Sequence, residues 1–443
     1  MFQKILVANR GEIAVRIVRT CREMGIAALA LYAPADAQAL HVRLADECAA
    51  LPGPDGFMDG AALLRLAVAR GADAIHPGYG FLAEEADFVQ ACAAAGVTVI
   101  GPPAGVLAGV RDKLGALARV RAAGFATVAT SPMTFDVGDE AALAQAADEL
   151  AYPLVVKACR GGRGPGARLV RRAADLLPAM RRAQAEARAV YSSQQVYLEQ
   201  AILPAHQVAV QVLGDAAGAI IHLGAREGSV QLGNRKLVEE QPAPGLTAVQ
   251  QEKLCETAVA IARLFGYQNA GTVEFLVDEA GQCYFTEIKA RIQVEHTLTE
   301  MVTRIDLVQA QIELAAGAPL AWTQAAVQPR GWAMMCRIKA EDPERGYLPS
   351  PGGVDHLRLP GGPEIRVDTY VYCGSEVPAA YDPLIATVCV WGAERASCLA
   401  RLRRALEDFK LVGLPTNLPL LQQVLRTAGF VDGRYTTELL ARP

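Results

Sequence analysis

Two acidic residues inside apolar, strand-like runs constrain the fold of this chain most strongly. Glu274 lies in the run Gly-Thr-Val-Glu-Phe-Leu-Val, and Glu287 ends the run Cys-Tyr-Phe-Thr-Glu. Residues 278–282 between them, Asp-Glu-Ala-Gly-Gln, predict a turn, so the segment predicts a β-hairpin with one acid on each strand. A carboxylate in a buried strand needs a partner. The hairpin therefore predicts either a Mg²⁺ site facing a phosphate or two core acids satisfied by hydrogen bonds.

The first part of the chain alternates strand-like and helix-like patterns. Residues 4–8 and 27–32 are typical of buried strands, and residues 11–24 between them are typical of a helix. The alternation continues at residues 61–70, 74–76, 84–95 and 97–100, followed by a helix at 111–123. This order predicts a doubly wound α/β start.

The length of the chain predicts more than one domain. A chain of 443 residues exceeds one ordinary domain, so several lobes are expected. We place an N-terminal domain at residues 1–108, a central domain at 109–317 and a C-terminal closing domain at 318–443. Residues 126–200 of the central domain have the pattern of a mobile lid, and the closing domain is predicted to end in a helix at 393–411.

Charge and cysteine content exclude several classes of function. The formal net charge is −4 and the arginines are scattered through helical patterns, so no nucleic-acid surface is expected. A long uncharged run, residues 91–110, is broken by Gly101, Pro102 and Pro103, so no membrane span is expected. The ten cysteines show no Cys-x-x-Cys spacing, which indicates reduced thiols and a cytoplasmic location.

Several motifs, in one order along the chain, resemble the biotin carboxylase family of ATP-grasp ligases. The resemblance implies an α/β protein with the ATP-grasp fold, an N-terminal doubly wound (Rossmann-like) domain and a C-terminal α+β closing domain. The motifs are Ile-Leu-Val-Ala-Asn-Arg-Gly-Glu-Ile-Ala at 5–14, His-Pro-Gly-Tyr-Gly-Phe-Leu at 76–82, Glu-Glu-Gln-Pro-Ala-Pro-Gly at 239–245, Glu-Ile-Lys-Ala-Arg-Ile-Gln-Val-Glu-His at 287–296, Arg-Ile-Lys-Ala-Glu-Asp-Pro at 337–343, Leu-Pro-Ser-Pro-Gly-Gly at 348–353 and Tyr-Asp-Pro-Leu-Ile-Ala at 381–386.

The resemblance also implies an activity. Such a ligase uses ATP, with Mg²⁺ or Mn²⁺, to carboxylate biotin with bicarbonate through carboxyphosphate, the first half-reaction of an acetyl-CoA-type acyl-CoA carboxylase of fatty acid biosynthesis. The sequence contains no Ala-Met-Lys-Met motif, so biotin is expected on a separate biotin carboxyl carrier protein. Carboxyltransferase subunits and a second copy of the chain, as a homodimer, are the other expected partners.

For the nucleotide, the resemblance implies two phosphate-contacting lysines, a glycine-rich loop and an acid that accepts from the adenine amino group, Glu199. It implies that Glu274 and Glu287 hold the metal. The implied ATP residues are Lys113, Lys157, Gly161, Gly162, Gly164, Gly166, Glu199, Ile202, Gln231 and Asn234.

For bicarbonate and biotin, the resemblance implies a second set of residues. Glu295 matches the general base, Arg337 the group that stabilises the biotin enolate, and Tyr79 the residue that packs on the biotin ring. The bicarbonate site is implied at Lys236, Arg291, Gln293 and the backbone of Val294, with Lys236 and Arg291 counted as catalytic together with Glu295 and Arg337. A guanidinium can donate two parallel N–H bonds to two oxygens of one planar anion, so an arginine suits bicarbonate. A plain salt-bridge network is the alternative reading.

Lys289 departs from the family pattern, which has asparagine beside the metal. An ammonium donates hydrogen bonds but cannot ligate a cation. At about 4 Å and an effective dielectric of about 20, it would repel Mg²⁺ by about 8 kcal/mol. One hypothesis is that Lys289 replaces a second cation and grips phosphate, while Glu274 and Glu287 keep one Mg²⁺. The rival hypothesis is impaired nucleotide turnover.

The glycine-rich loop departs from the family pattern as well. Arg160, Arg163 and Pro165 stand where the family has glycine, glycine and arginine. Proline removes a backbone N–H that could face phosphate, so this loop is expected to contact ATP through side chains. Two alternatives to an active biotin carboxylase therefore stay open. One is a catalytically impaired paralogue that acts as a binding or regulatory protein, and the other is an ATP-grasp carboxylate–amine ligase.

Overall fold

The computed structural model of the chain describes residues 1–53, 56–136, 138–159, 166–191 and 193–440. Its N-terminal part forms a parallel sheet in the order β3-β2-β1-β4-β5. Because the connections leave the central β1 in both directions, the predicted doubly wound start is confirmed. The elements are β1 (Lys4–Val7), α1 (Gly11–Glu23), β2 (Ala27–Tyr32), α2 (Leu40–Leu44), β3 (Glu47–Ala50), α3 (Gly60–Ala69), β4 (Ala74–His76), α4 (Ala86–Ala94), β5 (Thr98–Val99), α5 (Ala104–Arg111) and α6 (Lys113–Ala122).

The helix predicted at 111–123 begins later than expected. Helix α5 ends at Arg111 and α6 begins at Lys113, because the side chain of Asp112 caps α6 by accepting a 3.1 Å hydrogen bond from the Gly115 N–H. The cap separates α5 from α6. It also places Lys113 in the first turn of α6.

A small antiparallel sheet forms the segment that was predicted as a lid. Its strand order is β7-β6-β8, and its inner side chains, such as Leu154, Val156 and Leu198, form a core of their own with α7 and α8. Its mobility stays a prediction. The elements are α7 (Glu140–Leu150), β6 (Leu154–Ala158), β7 (Ala167–Val170), α8 (Leu176–Tyr191) and β8 (Val196–Gln200).

A large antiparallel sheet carries most candidate residues. One face is apolar, with Val208, Val210, Val273 and Phe275 in a core shared with α9. The alternating positions on the other face are polar, because successive side chains of a strand point to opposite faces. This part comprises β9 (Ala205–Gly214), β10 (Ile220–Leu232), β11 (Arg235–Gln241), α9 (Ala248–Leu264), β12 (Asn269–Asp278), β13 (Cys283–Lys289), α10 (His296–Thr303) and α11 (Leu307–Ala315).

The C-terminal part continues the same sheet. Its remaining elements are β14 (Trp332–Lys339), β15 (Glu341–Asp342), β16 (Leu348–Pro349), β17 (Gly352–Gly353), β18 (His356–Arg358), β19 (Ile365–Thr369), β20 (Glu376–Val377), β21 (Leu384–Gly392), α12 (Arg395–Asp408), β22 (Lys410–Val412), α13 (Leu418–Val424) and α14 (Ala428–Val431). Strand β14 pairs with β11, so the large sheet runs β13-β12-β9-β10-β11-β14-β21-β19.

The helix predicted at 393–411 is shorter than expected and is not the last one. It is α12, which begins after Glu394 in a capping box with Ser397, and α13 and α14 follow it. Among the described residues, every helix is too short or too polar to cross a membrane.

Candidate active site

The predicted hairpin is present and brings its two acids together. Strands β12 and β13 are antiparallel, and Glu274 and Glu287 are direct partners across the pair. A register shift follows at Phe275, which pairs with Phe285 so that Thr286 is the extra residue. Directly opposed residues place their side chains on the same face of a sheet. The bulge thus keeps both acids on the polar face and both phenylalanines on the apolar face.

A second acidic group adjoins the hairpin. Glu295 accepts a 2.6 Å hydrogen bond from Lys236 Nζ and a 2.8 Å bond from Arg337 Nη2. Arg337 also donates to Glu239 at 2.7 Å. Lys236 lies 3.4 Å from Glu239 and 3.8 Å from Glu274, and so joins this group to the hairpin. The predicted residues Lys236, Glu295 and Arg337 therefore share one network.

The cations of this network fix the charge of Glu295. Burial raises the pKa of the Glu295 carboxyl, but Lys236, Arg337 and Arg226 outweigh burial and hold the pKa well below its usual value. Glu239 behaves differently, because burial raises its pKa more than Arg337 lowers it. Glu295 is thus an anion at neutral pH and accepts hydrogen bonds only.

Arg226, on β10, is a residue that the sequence analysis missed. It is 1% exposed and donates to the Gln293 side-chain oxygen at 2.8 Å. Gln293 in turn donates to Glu274 Oε1 at 2.9 Å. The guanidinium also donates to neutral side-chain oxygens of Gln211, Thr272 and Thr299. The signal was available, since Arg226 is a charged residue inside an apolar strand, like Glu274.

Arg291 is held by the N-terminal part of the chain. Its Nε donates to Glu84 Oε2 at 3.2 Å, and Glu84 Oε1 accepts from the Ala290 N–H at the same length. Burial raises the pKa of Glu84, but Arg291 and Lys289 lower it below its usual value. Glu84 and Glu239 were also missed, although both stand in or beside motifs that carry the family resemblance.

Two further predicted residues are Val294 and Tyr79. The Val294 carbonyl is 3.2 Å from Nδ1 of the buried His296. Tyr79 is half-buried, and its hydroxyl donates a hydrogen bond to Glu12. Burial raises the pKa of Glu12 to about 7.

The two lysines that are predicted to contact phosphate pair with predicted acids. Lys157 Nζ lies 2.6 Å from Glu199 Oε2, and the Tyr197 hydroxyl donates to the other Glu199 oxygen at 2.7 Å. Lys113 Nζ lies 3.7 Å from Glu287 Oε2. Burial lowers the pKa of Lys157, but Glu199 and Glu287 raise it above its usual value. The first pair lies within the small sheet, and the second joins α6 to the hairpin.

The other residues that the resemblance assigns to ATP lie on several elements. Ile202 packs against the central core. Gln231 donates to the Gly228 carbonyl at 2.8 Å, and Asn234 to the Ala167 carbonyl of β7 at 3.3 Å. Gly166 has a φ of +84°, and an added Cβ would lie 2.7 Å from that of Ala158, so glycine is required there. Gly161, Gly162 and Gly164, with the departures Arg160, Arg163 and Pro165, lie outside the described residues.

The acid pair fits a divalent cation only in part. Glu287 Oε1 is 2.8 Å from Lys289 Nζ, so Lys289 and Lys113 each face one of its oxygens. Burial raises the pKa of Glu287, but Lys289, Lys113 and Lys157 hold it well below its usual value. In the described part of the chain, no three His, Cys, Asp or Glu side chains form a metal-binding group. Glu287 is therefore already paired with two ammonium groups.

Family models match three consecutive stretches of the chain. The biotin carboxylase N-terminal domain matches residues 1–107, the ATP-binding domain of the carbamoyl-phosphate synthase L chain matches 112–323, and the biotin carboxylase C-terminal domain matches 335–442.

Individual proteins match along the whole length. A biotin carboxylase of Nostoc sp. is 41% identical over 442 residues, which cover 99% of this chain and 98% of that protein. A pyruvate carboxylase subunit of Methanothermobacter thermautotrophicus is 40% identical over 443 residues, 99% of this chain and 90% of that protein.

A solved structure gives the same fold. It is the biotin carboxylase domain dimer of Hydrogenobacter thermophilus 2-oxoglutarate carboxylase, in complex with MgADP, ADP and bicarbonate. It has a TM-score of 0.96 and 40% identity, covering 99% of this chain and 97% of that one. The predicted ATP-grasp architecture is thus confirmed, and the chain belongs to the biotin carboxylase family.

Proposed function

We propose that this chain carboxylates biotin on a separate carrier protein, using ATP and bicarbonate. The observation that carries the proposal is the Glu295 carboxylate, held at 2.6 Å by Lys236 and at 2.8 Å by Arg337 next to the Glu274–Glu287 hairpin. Two cations that suit a small anion and a phosphate-side acid pair thereby lie on one sheet, and the base, at the start of α10, contacts both cations. The similarity to biotin carboxylases along the whole chain supports the same activity.

The first step activates bicarbonate. The anion would bind to Lys236 and the Arg291 fork, with the Gln293 amide oriented by Arg226. When bicarbonate accepts a hydrogen bond from Lys236, the ammonium interacts less with Glu295. Because that interaction lowers the pKa of Glu295, the pKa rises and Glu295 becomes a stronger base. Glu295 then removes the bicarbonate proton while the bicarbonate oxygen attacks the γ-phosphorus. ADP leaves, and carboxyphosphate forms.

The second step transfers the carboxyl group to biotin. Carboxyphosphate breaks into CO₂ and phosphate, and the phosphate removes the proton from the ureido nitrogen of biotin. Arg337 would stabilise the negative charge on the biotin oxygen, and the nitrogen then attacks CO₂. Arg337 is suited to this because a guanidinium keeps its charge at every physiological pH. Tyr79 is proposed to pack on the biotin ring.

The nucleotide would bind between the small sheet and the hairpin. Lys157 would exchange Glu199 for a phosphate oxygen, which frees a Glu199 oxygen for the adenine amino group. Lys113 would contact phosphate from the first turn of α6. A Mg²⁺ ion bound with the nucleotide would neutralise phosphate charge, with Glu274 and Glu287 as its protein ligands.

The proposal also covers the partner proteins and the molecule that finally accepts the carboxyl group. We expect a biotin carboxyl carrier protein, carboxyltransferase subunits and a homodimer in the cytoplasm; the H. thermophilus relative is described as a dimer. An acetyl-CoA-type acceptor is the first choice. The relatives include a 2-oxoglutarate carboxylase domain and a pyruvate carboxylase subunit, so a keto acid is the competing acceptor class. We retain domain boundaries near residues 108 and 317.

One observation favours a second candidate function. The Lys289–Glu287 contact at 2.8 Å places an ammonium where a metal ligand is expected, as in a paralogue that binds but does not turn over nucleotide. ADP release separates the two. The enzyme releases ADP only when bicarbonate and biotin are both present, whereas the paralogue releases little ADP under any of these conditions.

A further inference from the structure

We infer that Lys289 is a tethered cation of the nucleotide site: its ammonium bridges Glu287 and a phosphate oxygen of ATP, and it takes the place of a second divalent ion. The inference rests on the proposed function, because it concerns the same site. It specifies how the phosphate charge is neutralised and how many metal ions accompany one nucleotide.

The first argument is the position of Lys289 on the hairpin. Lys289 pairs with Thr272 across β12 and β13, as Glu287 pairs with Glu274. Because Glu287 and Lys289 are two apart on one strand, both point to the polar face. Lys289 is 8% exposed, and its Nζ lies 2.8 Å from Glu287 Oε1. The ammonium is therefore built into the wall of the site.

The second argument is the charge of the side chains around Lys289. Glu287 already faces Lys113 at 3.7 Å on its other oxygen, and Lys157 pairs with Glu199 at 2.6 Å. On this side of the described site, the ammonium groups of Lys113, Lys157 and Lys289 lie among the carboxylates of Glu287, Glu199, Glu274 and Glu84, so the buried charges are paired. Three ammonium groups beside one acid pair can also donate charge-assisted hydrogen bonds to an anionic ligand. The phosphates of ATP are such a ligand.

The third argument is the chemistry of an ammonium group. Lys289 donates hydrogen bonds to oxygen anions and has no lone pair for a metal when protonated. A divalent ion bound to the same Glu287 oxygen would lie close to a positive charge in a pocket of low dielectric constant, where repulsion is strong. Lys289 and a second metal ion therefore exclude one another at Glu287.

The test counts metal ions by electron paramagnetic resonance, with Mn²⁺ as the probe and the non-hydrolysable ATP analogue AMPPNP bound to the full chain. We expect one bound Mn²⁺ per bound AMPPNP in the wild type and two in Lys289→Asn, which restores a neutral oxygen ligand. Lys289→Met, which cannot ligate, should keep one Mn²⁺ and bind AMPPNP about tenfold more weakly or worse. Lys253→Asn, on the exposed side of α9, is the matched control and should behave as wild type.

Each other outcome has a definite meaning. Two Mn²⁺ ions per AMPPNP in the wild type, one in Lys289→Asn, or unchanged AMPPNP affinity in Lys289→Met would each overturn the tethered-cation inference and leave the proposed function standing. If the wild type binds no AMPPNP with Mn²⁺, the proposed function itself fails, and the inference fails with it. Thermal unfolding of each variant shows whether the fold is kept.

Discussion

Arg226 donates a 2.8 Å hydrogen bond to the side-chain oxygen of Gln293. This bond fixes which way the Gln293 amide points, because its nitrogen must then face Glu274, to which it donates at 2.9 Å. Arg226 also adds positive charge near Glu295, where burial alone would raise the carboxyl pKa. Among the described residues, the Arg226 guanidinium donates to neutral side-chain oxygens; it thus orients Gln293 of the proposed bicarbonate site and lowers the pKa of Glu295.

We therefore predict that Arg226→Lys raises the KM for bicarbonate and lowers kcat about 10- to 100-fold, because a lysine keeps the charge but loses the fork. Arg226→Met should have a larger effect and should also lower the free energy of unfolding by about 3 kcal/mol, since it leaves the nearby carboxylates uncompensated. Steady-state kinetics against bicarbonate measures the first effect. Arg263→Met, at the exposed end of α9, is the control. A folded Arg226→Lys variant with unchanged KM and kcat would contradict this role.

Glu12 should make the folded protein less stable as pH rises. Burial raises its pKa from the usual value of 4.5 to about 7, with Asp382 adding to the effect. The stabilisation is fully present below about pH 4.5 and is lost as pH rises through 7. By linkage, Glu12→Gln should be more stable than wild type at about pH 8 by on the order of 3 kcal/mol and nearly equal to it at about pH 4.5. Urea unfolding at both values measures this, and an equal difference at both would refute it.

Glu300 should have the opposite pH dependence. Burial raises its pKa, but Arg16, His296 and Arg366 outweigh burial and lower it to about 2. Its stabilisation is present above about pH 4.5 and is lost as pH falls towards 2. Glu300→Gln should therefore lower the free energy of unfolding at about pH 7 by on the order of 3 kcal/mol.

The pH series supplies the control for Glu300. Between about pH 4.5 and about pH 3 the unfolding free energy of wild type should fall more steeply than that of Glu300→Gln, measured by urea unfolding at fixed ionic strength. Parallel slopes for the two proteins would show that Glu300 is not the group responsible.

Local patterns predicted the hairpin, because alternating apolar residues, a turn and two acids lie within one short segment. The turn alone would pair Glu274 with Thr286; the bulge at Thr286 shifts the partner to Glu287 and gives the two acids a common face. The doubly wound start was equally local. By contrast, the pairing of β11 with β14 joins segments that are distant along the chain, and no short-range pattern specifies such a partner.

The missed site residues share the same physical reason. Arg226, Glu239 and Glu84 act through contacts with residues far away in the sequence, such as Gln293, Arg337 and Arg291. A charge inside an apolar strand shows that a partner must exist but does not identify it. The late start of α6 has a local cause, since Asp112 caps a helix inside a run whose periodicity alone looked continuous.

The central claim is that Glu295, held between Lys236 and Arg337, is the base that activates bicarbonate. The most direct measurement is the rate of ADP release by the full chain with ATP, Mg²⁺, biotin and bicarbonate, omitting each of the last two in turn. We predict release that requires both, and a loss of about 100- to 10,000-fold in Glu295→Gln, with wild-type rates in the exposed control Glu376→Gln. Release that is independent of bicarbonate, or undiminished in Glu295→Gln, would contradict the claim.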